Sequence, residues 1–383
     1  MTVNIIFAFP LNMLNPNKKM IKNISIKNYK LFKDIEIKNI NQFTLISGEN
    51  NVGKTSLLEA IHMSISNTTI TYNTDIAYRG LHEMLDTTAH CREFIFNSYD
   101  MSNVITIHST FNNLCISKSI KVSKDIVQDK TLFKNSSETD ILKPFFDMNY
   151  EDEDEDIRDV PYIIEQEKIT NCSKLTLSEE AMLKEVKTLK TTEIIFLCDY
   201  SIYELTYKLW EFMSDKYRRD IPTKYRKLII KCIQIFMPEA KDIKLERVDY
   251  KKYIMKIDNG TQLIPLAFIG DGVLNVLKLI VAIFECKNGI ILIDNIDKAL
   301  HYSVIEDVWG IILHIAKEFN CQIIATTHSY DFLYAINNAM QEENLHKQDF
   351  TYIKLEKDGE DNYVGTFNHE LFNYAIKTNL EIR

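Results

Sequence analysis

Apolar and polar residues alternate over Ile21 to Tyr29 and over Asp34 to Asn39, with Lys30-Leu31-Phe32-Lys33 between them. Alternation with period two predicts strands that lay one face on a core and the other in solvent. Gln42 to Ser47 predicts a further strand, and Lys54 to Ile65 (KTSLLEAIHMSI) a helix. Strand patterns return at Glu93–Asn97, Val104–Phe111 and Leu114–Val122, and their short connections favour antiparallel pairing. From Ser178 to Pro238 strong helix formers dominate. Ser178-Glu179-Glu180 reads as an N-cap with acids in the first turn, and Pro222 divides the region into a helical hairpin. After Lys244 the pattern is again β: Leu245–Val248, Tyr253–Ile257 and Gln262–Ala267, the last two separated by the turn Asp258-Asn259-Gly260. The C-terminal third alternates helix and strand, which implies a parallel sheet with crossover helices.

Composition narrows this picture little. A chain of 383 residues that is 45% hydrophobic and 26% charged has material for a sizeable core. Its net charge of -9 excludes a surface that is basic throughout, so nucleic acid would have to meet a local patch. One such patch is predicted on the helical hairpin: Lys216, Arg218, Arg219, Lys224, Arg226, Lys227 and Lys231, with Tyr217 and Tyr225 among them. It reads either as a solvated helix face or as a nucleic-acid or partner contact through Arg218, Arg219, Arg226 and Lys227. Glu151 to Asp156 (EDEDED) reads as a solvated loop, or as a docking strip for a basic partner. The seven cysteines are scattered without a C-x-x-C pair, so neither a zinc site nor a disulfide framework is expected, and a reducing cytoplasm is the simplest location. Met1 to Met20 makes a poor signal peptide and is too short to span a bilayer; Met20 is a candidate alternative start.

Chemistry enters with Gly48-Glu49-Asn50-Asn51-Val52-Gly53-Lys54-Thr55, which fits G-x-x-x-x-G-K-[ST] between a predicted strand and a predicted helix. In such a loop, backbone N–H groups cradle phosphates and Lys54 reaches the β- and γ-phosphates. Thr55 ligates Mg²⁺, and the helix dipole favours the anion. Gly289 to Asp294 reads as a buried strand with an acid at its carboxyl end, where open α/β sheets bind ligands. Asp294 would share Mg²⁺ with Thr55. The long gap between Lys54 and Asp294 implies a nucleotide-binding core with a large insertion. Cys321 to Thr327 is another buried strand, and it ends at His328-Ser329, where a His could meet the γ-phosphate or the attacking water. Gly270-Asp271-Gly272 precedes an apolar helix and offers a second anion-binding helix start. The chain has 10 glycines, and Gly48, Gly53, Gly270 and Gly272 all fall in these two loops.

Together ISIKNYKLFKDIEI, LISGENNVGKTSLLEAI, FIGDGVLNVLKL, GIILIDNIDKALHYS, IIATTHS and the terminal NLEIR resemble the ABC-type ATPases of the RecF, SMC and OLD group, most of all the compact ATPases of bacterial anti-phage systems such as PARIS. The resemblance implies an α/β fold: an ABC-type ATPase head, with a mixed β lobe plus a parallel sheet with flanking helices, interrupted by a helical insert. The head would be split over 21–147 and 245–383, with an N-terminal extension over 1–20 and an acidic loop and helical insert over 148–244. It implies ATP and Mg²⁺ as cofactors, with Gly48, Asn50, Asn51, Gly53, Lys54, Thr55 and Ser56 on the nucleotide. Gly270, Asp271 and Gly272 would form a signature loop acting on the nucleotide of a second protomer. His301 would lie in a dimer-contacting loop, and His328 would be a switch histidine. Such proteins work as homodimers or larger oligomers.

Two departures stand out. Relatives place Glu after the metal-binding Asp, as the base that activates water; this chain has Asn295. General-base catalysis contributes roughly 10²–10⁴-fold, so hydrolysis should be slow unless Asp297 or His328 substitutes. The signature loop also lacks its usual Ser. No nuclease acids follow the core. The leading expectation is therefore an ATP-dependent sensor or scaffold in antiviral defence, triggered by a phage protein or DNA and controlling a separate effector protein, for example a nuclease. A RecF-like DNA-repair ATPase, binding DNA through the basic hairpin, is the main alternative. A transporter ATPase subunit, and a protein that uses ATP only as a folding cofactor, are further ones.

Overall fold

The computed structural model describes residues 20–65, 95, 97–100, 102–111, 114–123, 139–142, 162–171, 194–196, 205–209, 223–249, 252–297, 302–343, 347–359 and 361–378. The acidic run 151–156, Arg218, Arg219, His301, the N-terminal extension before residue 20 and the terminal NLEIR lie outside them.

The chain opens with a hairpin of β1 (Asn23–Tyr29) and β2 (Phe32–Ile37), paired antiparallel. Its connection is shorter than the sequence suggests: Tyr29 pairs with Phe32, leaving Lys30-Leu31 as the turn, with Lys30 in the left-handed region at φ 48°. β3 (Phe43–Gly48) runs straight into the glycine loop and helix α1 (Lys54–Ile65), as the pattern predicts. β4 (Ile105–Thr110) and β5 (Leu114–Ser123) pair antiparallel, again as expected. Of the strand expected over Glu93–Asn97 only Ile95 and Asn97 are described, and Ile95 and Asn97–Tyr99 are 3-10 turns. Lys30 N donates to Ile95 O (2.9 Å) and Asn97 Nδ2 to Lys30 O (2.9 Å), so this segment caps the hairpin turn rather than joining a ladder.

The middle of the chain is where the sequence reading needs most correction. β6 (Thr139–Leu142) and β7 (Tyr162–Asn171) complete a sheet in the order β2-β1-β4-β5-β7-β6. β8 (Ile194–Phe196) joins the other large sheet, although it lies in the stretch where helical patterns dominate. Two strands inside 148–244 thus belong to sheets shared with the flanking chain, because ladder pairing in the sheet overrides the helical propensity around Ile194. The helical expectation holds at 205–209 and in α2 (Thr223–Phe236). Cys115, on β5, is disulfide-bonded, whereas Cys232, Cys286 and Cys321 are free. Cysteine spacing does not report which strands pair, so that bridge corrects the expectation that no disulfide forms.

β9 (Asp242–Asp249), β10 (Lys252–Asp258) and β11 (Leu263–Pro265) form a separate three-stranded antiparallel sheet. Then come α3 (Asp271–Glu285), β12 (Ile290–Ile293), α4 (Tyr302–Glu318), β13 (Gln322–Thr326) and α5 (Tyr330–Glu343). β14 (Phe350–Asp358), β15 (Asp361–Asn368) and α6 (His369–Lys377) close the described chain. The second large sheet has the order β15-β14-β3-β13-β12-β8 and is parallel except at β15.

Burial explains why β12 and β13 read as continuous apolar runs. Successive strand residues point to opposite faces, and both faces of this sheet are covered. Ile290, Leu292 and Ile324 pack with α1 and the antiparallel sheet, whereas Ile291, Ile293, Ile323 and Ala325 pack with helices α2 to α6. β3 lies at the centre, so the loop that follows it emerges from the carboxyl edge of the sheet, level with the ends of β12 and β13.

Candidate nucleotide site

The loop after β3 is shaped by two glycines. Gly48 has φ 145°, and a Cβ there would lie 2.2 Å from the Leu355 carbonyl oxygen of β14. Gly53 has φ 101°, and a Cβ there would lie 2.6 Å from the Phe32 ring. Only glycine allows both backbone conformations and both close approaches. Between them Glu49, Asn50 and Asn51 are exposed, with Asn51 left-handed at φ 62°, while Val52 is buried. Asn362 Nδ2 donates to the Val52 carbonyl at 3.3 Å, so β15 supports the loop from one side as Phe32 of β2 does from the other.

Lys54 is buried, and its Nζ donates to the carbonyls of Gly48 (2.7 Å) and Glu49 (2.5 Å). Burial lowers its pKa from the ordinary value, and the charge of Asp294 opposes that shift. Thr55, on the first turn of α1, donates from Oγ1 to Asp294 Oδ2 at 2.9 Å. Ser56 is half-buried beside it. Asp294 follows the last residue of β12, and its other oxygen accepts from Thr326 Oγ1 at 2.6 Å. Asn295 is exposed and left-handed at φ 56°, a region that Asn tolerates better than most residues. Asp297 accepts from Thr327 Oγ1 at 2.7 Å, and Thr327 Oγ1 in turn accepts from Ser329 N at 3.1 Å. Ser329 then caps α5 through Phe332 N (3.1 Å). His328 stands exposed between these residues; its pKa is lowered from 6.5 by burial and by Lys54, against the opposing charges of Asp297 and Asp294.

The structure thus brings Gly48–Ser56, Asp294, Asn295, Asp297 and His328 to one edge of one sheet. It also adds Thr326 and Thr327, which the sequence reading passed over within the strand IIATT. The donor set fits Mg²⁺: a hydroxyl and a carboxylate already within hydrogen-bond distance, on an ion that takes few protein ligands and keeps waters and phosphate oxygens. The buried ammonium turned onto its own loop carbonyls fits a phosphate.

A family described as "AAA domain, putative AbiEii toxin, Type IV TA system" matches residues 43–333, a span that runs from β3 and the glycine loop to the start of α5. This chain belongs to that family. It is similar to an "ATP/GTP phosphatase" of Helicobacter pylori, with 21% identity over 372 residues covering 86% of this chain and 90% of the relative. Among solved structures it is similar to an SMC head bound to the C-terminal winged-helix domain of ScpA, with 11% identity, 91% and 97% of the two chains covered and a TM-score of 0.48. It is also similar to the SMC head domain from Thermotoga maritima, with 11% identity, 91% and 99% covered and a TM-score of 0.45. With its phosphate loop, facing acid, antiparallel lobe and largely parallel sheet, the fold is α/β, with the mixed β lobe and the parallel sheet with flanking helices that the resemblance implies. No described helix is long and apolar enough to cross a membrane.

Gly270 is the N-cap of α3, without a side-chain cap and with nothing within 4 Å of a built Cβ; Asp271 is exposed and Gly272 half-buried. Arg226 is exposed and paired. Its Nε and Nη2 donate to the two carboxylate oxygens of Asp242 (3.0 and 2.9 Å), and Nη2 donates to Ile243 O at 3.1 Å, which ties α2 to β9. Lys227 is exposed next to it.

Proposed function

We propose that this chain is an ATP-dependent switch of an anti-phage defence assembly, which binds Mg·ATP at Gly48–Ser56 and Asp294, closes against a second copy, and hydrolyses slowly. The family's description as a toxin of a toxin–antitoxin system supports a defensive role, and the name of the Helicobacter pylori relative supports a nucleotide as the ligand. The observation that carries the reading is Asn295, exposed immediately after the acid that Thr55 meets.

Mg²⁺, when bound, would supply positive charge against the negative charge that develops on the phosphates. Thr55 and Asp294 would hold it. Lys54 would exchange its loop carbonyls for phosphate oxygens, and the start of α1 would supply N–H donors. Hydrolysis requires water to attack the γ-phosphorus while the bond to the bridging oxygen breaks, and the water must give up a proton. The amide of Asn295 can orient that water but cannot take the proton. Asp297, held by Thr327, and His328, whose pKa is lowered by burial and by Lys54, are the remaining groups that could. A long-lived ATP state suits a sensor that releases a separate effector when a phage protein or DNA disturbs it. Gly270-Asp271-Gly272 and His301 would face the second copy. The DNA-repair alternative would need Arg226 to exchange Asp242 for a phosphate.

The test is ATP binding and turnover in wild type, Lys54→Ala and Asn295→Glu. Tight binding with little turnover in wild type, loss of binding in Lys54→Ala and faster turnover in Asn295→Glu support the switch. Glu at φ 56° would also carry about 1–3 kcal/mol of backbone strain, so Asn295→Glu should be less stable than wild type. Brisk hydrolysis by wild type would overturn the reading of Asn295.

A further inference from the structure

The bonding around Thr326 extends the proposed nucleotide site by one residue. Thr326 is the last residue of β13 and is fully buried. Parallel pairing sets Ile293 of β12 opposite Ala325, so the next residues, Asp294 and Thr326, fall side by side where β12 ends. On its other flank Thr326 pairs with Ile46 of β3. Its main chain is therefore fixed from both sides.

A threonine hydroxyl has one proton to give and lone pairs to accept with. Both capacities are used at the site. Thr326 Oγ1 donates to Asp294 Oδ1 at 2.6 Å and accepts from the Asn295 backbone N–H at 2.9 Å. The Thr326 carbonyl accepts from Ile296 N at 2.9 Å. One residue of β13 thus orients the acid and also holds the left-handed turn that carries Asn295 outward.

We infer that Thr326 is a positioning residue for Mg²⁺: it presents Asp294 to the ion and fixes the turn on which Asn295 stands. This rests on the reading of Gly48–Ser56 and Asp294 as a Mg·ATP site. Thr55 bonds the opposite oxygen of Asp294, and that hydroxyl would be drawn to the ion when Mg²⁺ binds. The Thr326 bond then keeps the carboxylate aimed while its partner on α1 changes role. Groups that hold a ligating carboxylate are worth about 10–100-fold in metal affinity when removed.

The experiment reads binding rather than turnover. The full chain is titrated with a fluorescent ATP analogue in EDTA, and then with Mg²⁺ at fixed analogue, for wild type, Thr326→Val and Thr326→Ser. Valine keeps the shape and removes the hydroxyl; serine keeps the hydroxyl and removes the methyl. The expected result is unchanged binding in EDTA for all three, a half-saturating Mg²⁺ concentration raised about 10–100-fold in Thr326→Val, and a near wild-type value in Thr326→Ser. If thermal melting shows that Thr326→Val does not fold, Thr326→Cys takes its place, with a weak donor and a smaller rise in the same direction. A wild-type Mg²⁺ requirement in Thr326→Val, or in Thr326→Cys where it replaces it, overturns the inference. So does an equal rise in Val and Ser, which would trace the effect to packing. A wild-type chain that binds no ATP analogue defeats the reading of the site itself, whereas normal wild-type binding with an indifferent Thr326 defeats only this inference.

Discussion

The hydroxyl of Thr55 donates to the carboxylate of Asp294 at 2.9 Å, although the two residues are 239 positions apart in the chain. The contact exists because β3 and β12 flank β13 in one parallel sheet, so the start of α1 and the end of β12 meet at the same edge. If both residues serve one ion, their effects should not add. Thr55→Ala and Asp294→Asn should each weaken Mg²⁺-dependent ATP binding by about 10–100-fold, and the double variant by little more than either. Isothermal titration with and without Mg²⁺ checks this, and fully additive losses would mean that the two act separately.

Gly53 is held at φ 101° with the Phe32 ring in the way of any Cβ. Gly53→Ala should lower stability by about 1–3 kcal/mol through backbone strain alone and should also abolish ATP binding. Denaturant unfolding at equilibrium measures the first effect. A variant as stable as wild type would show that the loop relaxes freely.

His328 titrates below its ordinary 6.5, with burial the main cause and Lys54 the next. As pH falls below 6.5 the unfolded chain takes up a proton that the folded imidazole resists, so stability from this group is lost on going acidic through that window. Melting temperature should therefore drop less between pH 7.5 and 5.5 in His328→Asn than in wild type. Equal drops in the two proteins would remove His328 as the cause.

Arg226 is a structural clamp in this fold. Arg226→Ala should cost about 1 kcal/mol or less, since the pair with Asp242 is partly exposed, and should leave any salt-sensitive DNA affinity unchanged. Filter binding across a salt series distinguishes this from a phosphate contact, whose loss would flatten the salt slope.

The sequence was most legible where local chemistry and sheet position agree. Lys54–Ile65 is a helix with the predicted bounds because the glycine loop dictates its start. The buried strands of Ile290–Ile293 and Gln322–Thr326 announced themselves because both of their faces are covered. Ile194–Phe196 did not, since three residues of strand inside a helix-rich stretch carry no periodic signal of their own, and their state is set by β12 alongside. The roles of Thr326 and Thr327 were hidden for a related reason. A threonine at the end of an apolar strand reads as ordinary β composition, and only the register of β12 against β13 shows that its hydroxyl meets an acid. Asn295 was noticed for the missing carboxylate, but its left-handed backbone, which suits Asn in its own right, came from the structure.

In the proposed switch, Mg·ATP drives association of two or more copies through this site. Multi-angle light scattering of the purified chain, with and without saturating Mg·ATP, tests it most directly. The account predicts at least a doubling of mass with nucleotide in wild type and none in Lys54→Ala. An unchanged mass in wild type, at concentrations where ATP binding is demonstrably saturated, would contradict it.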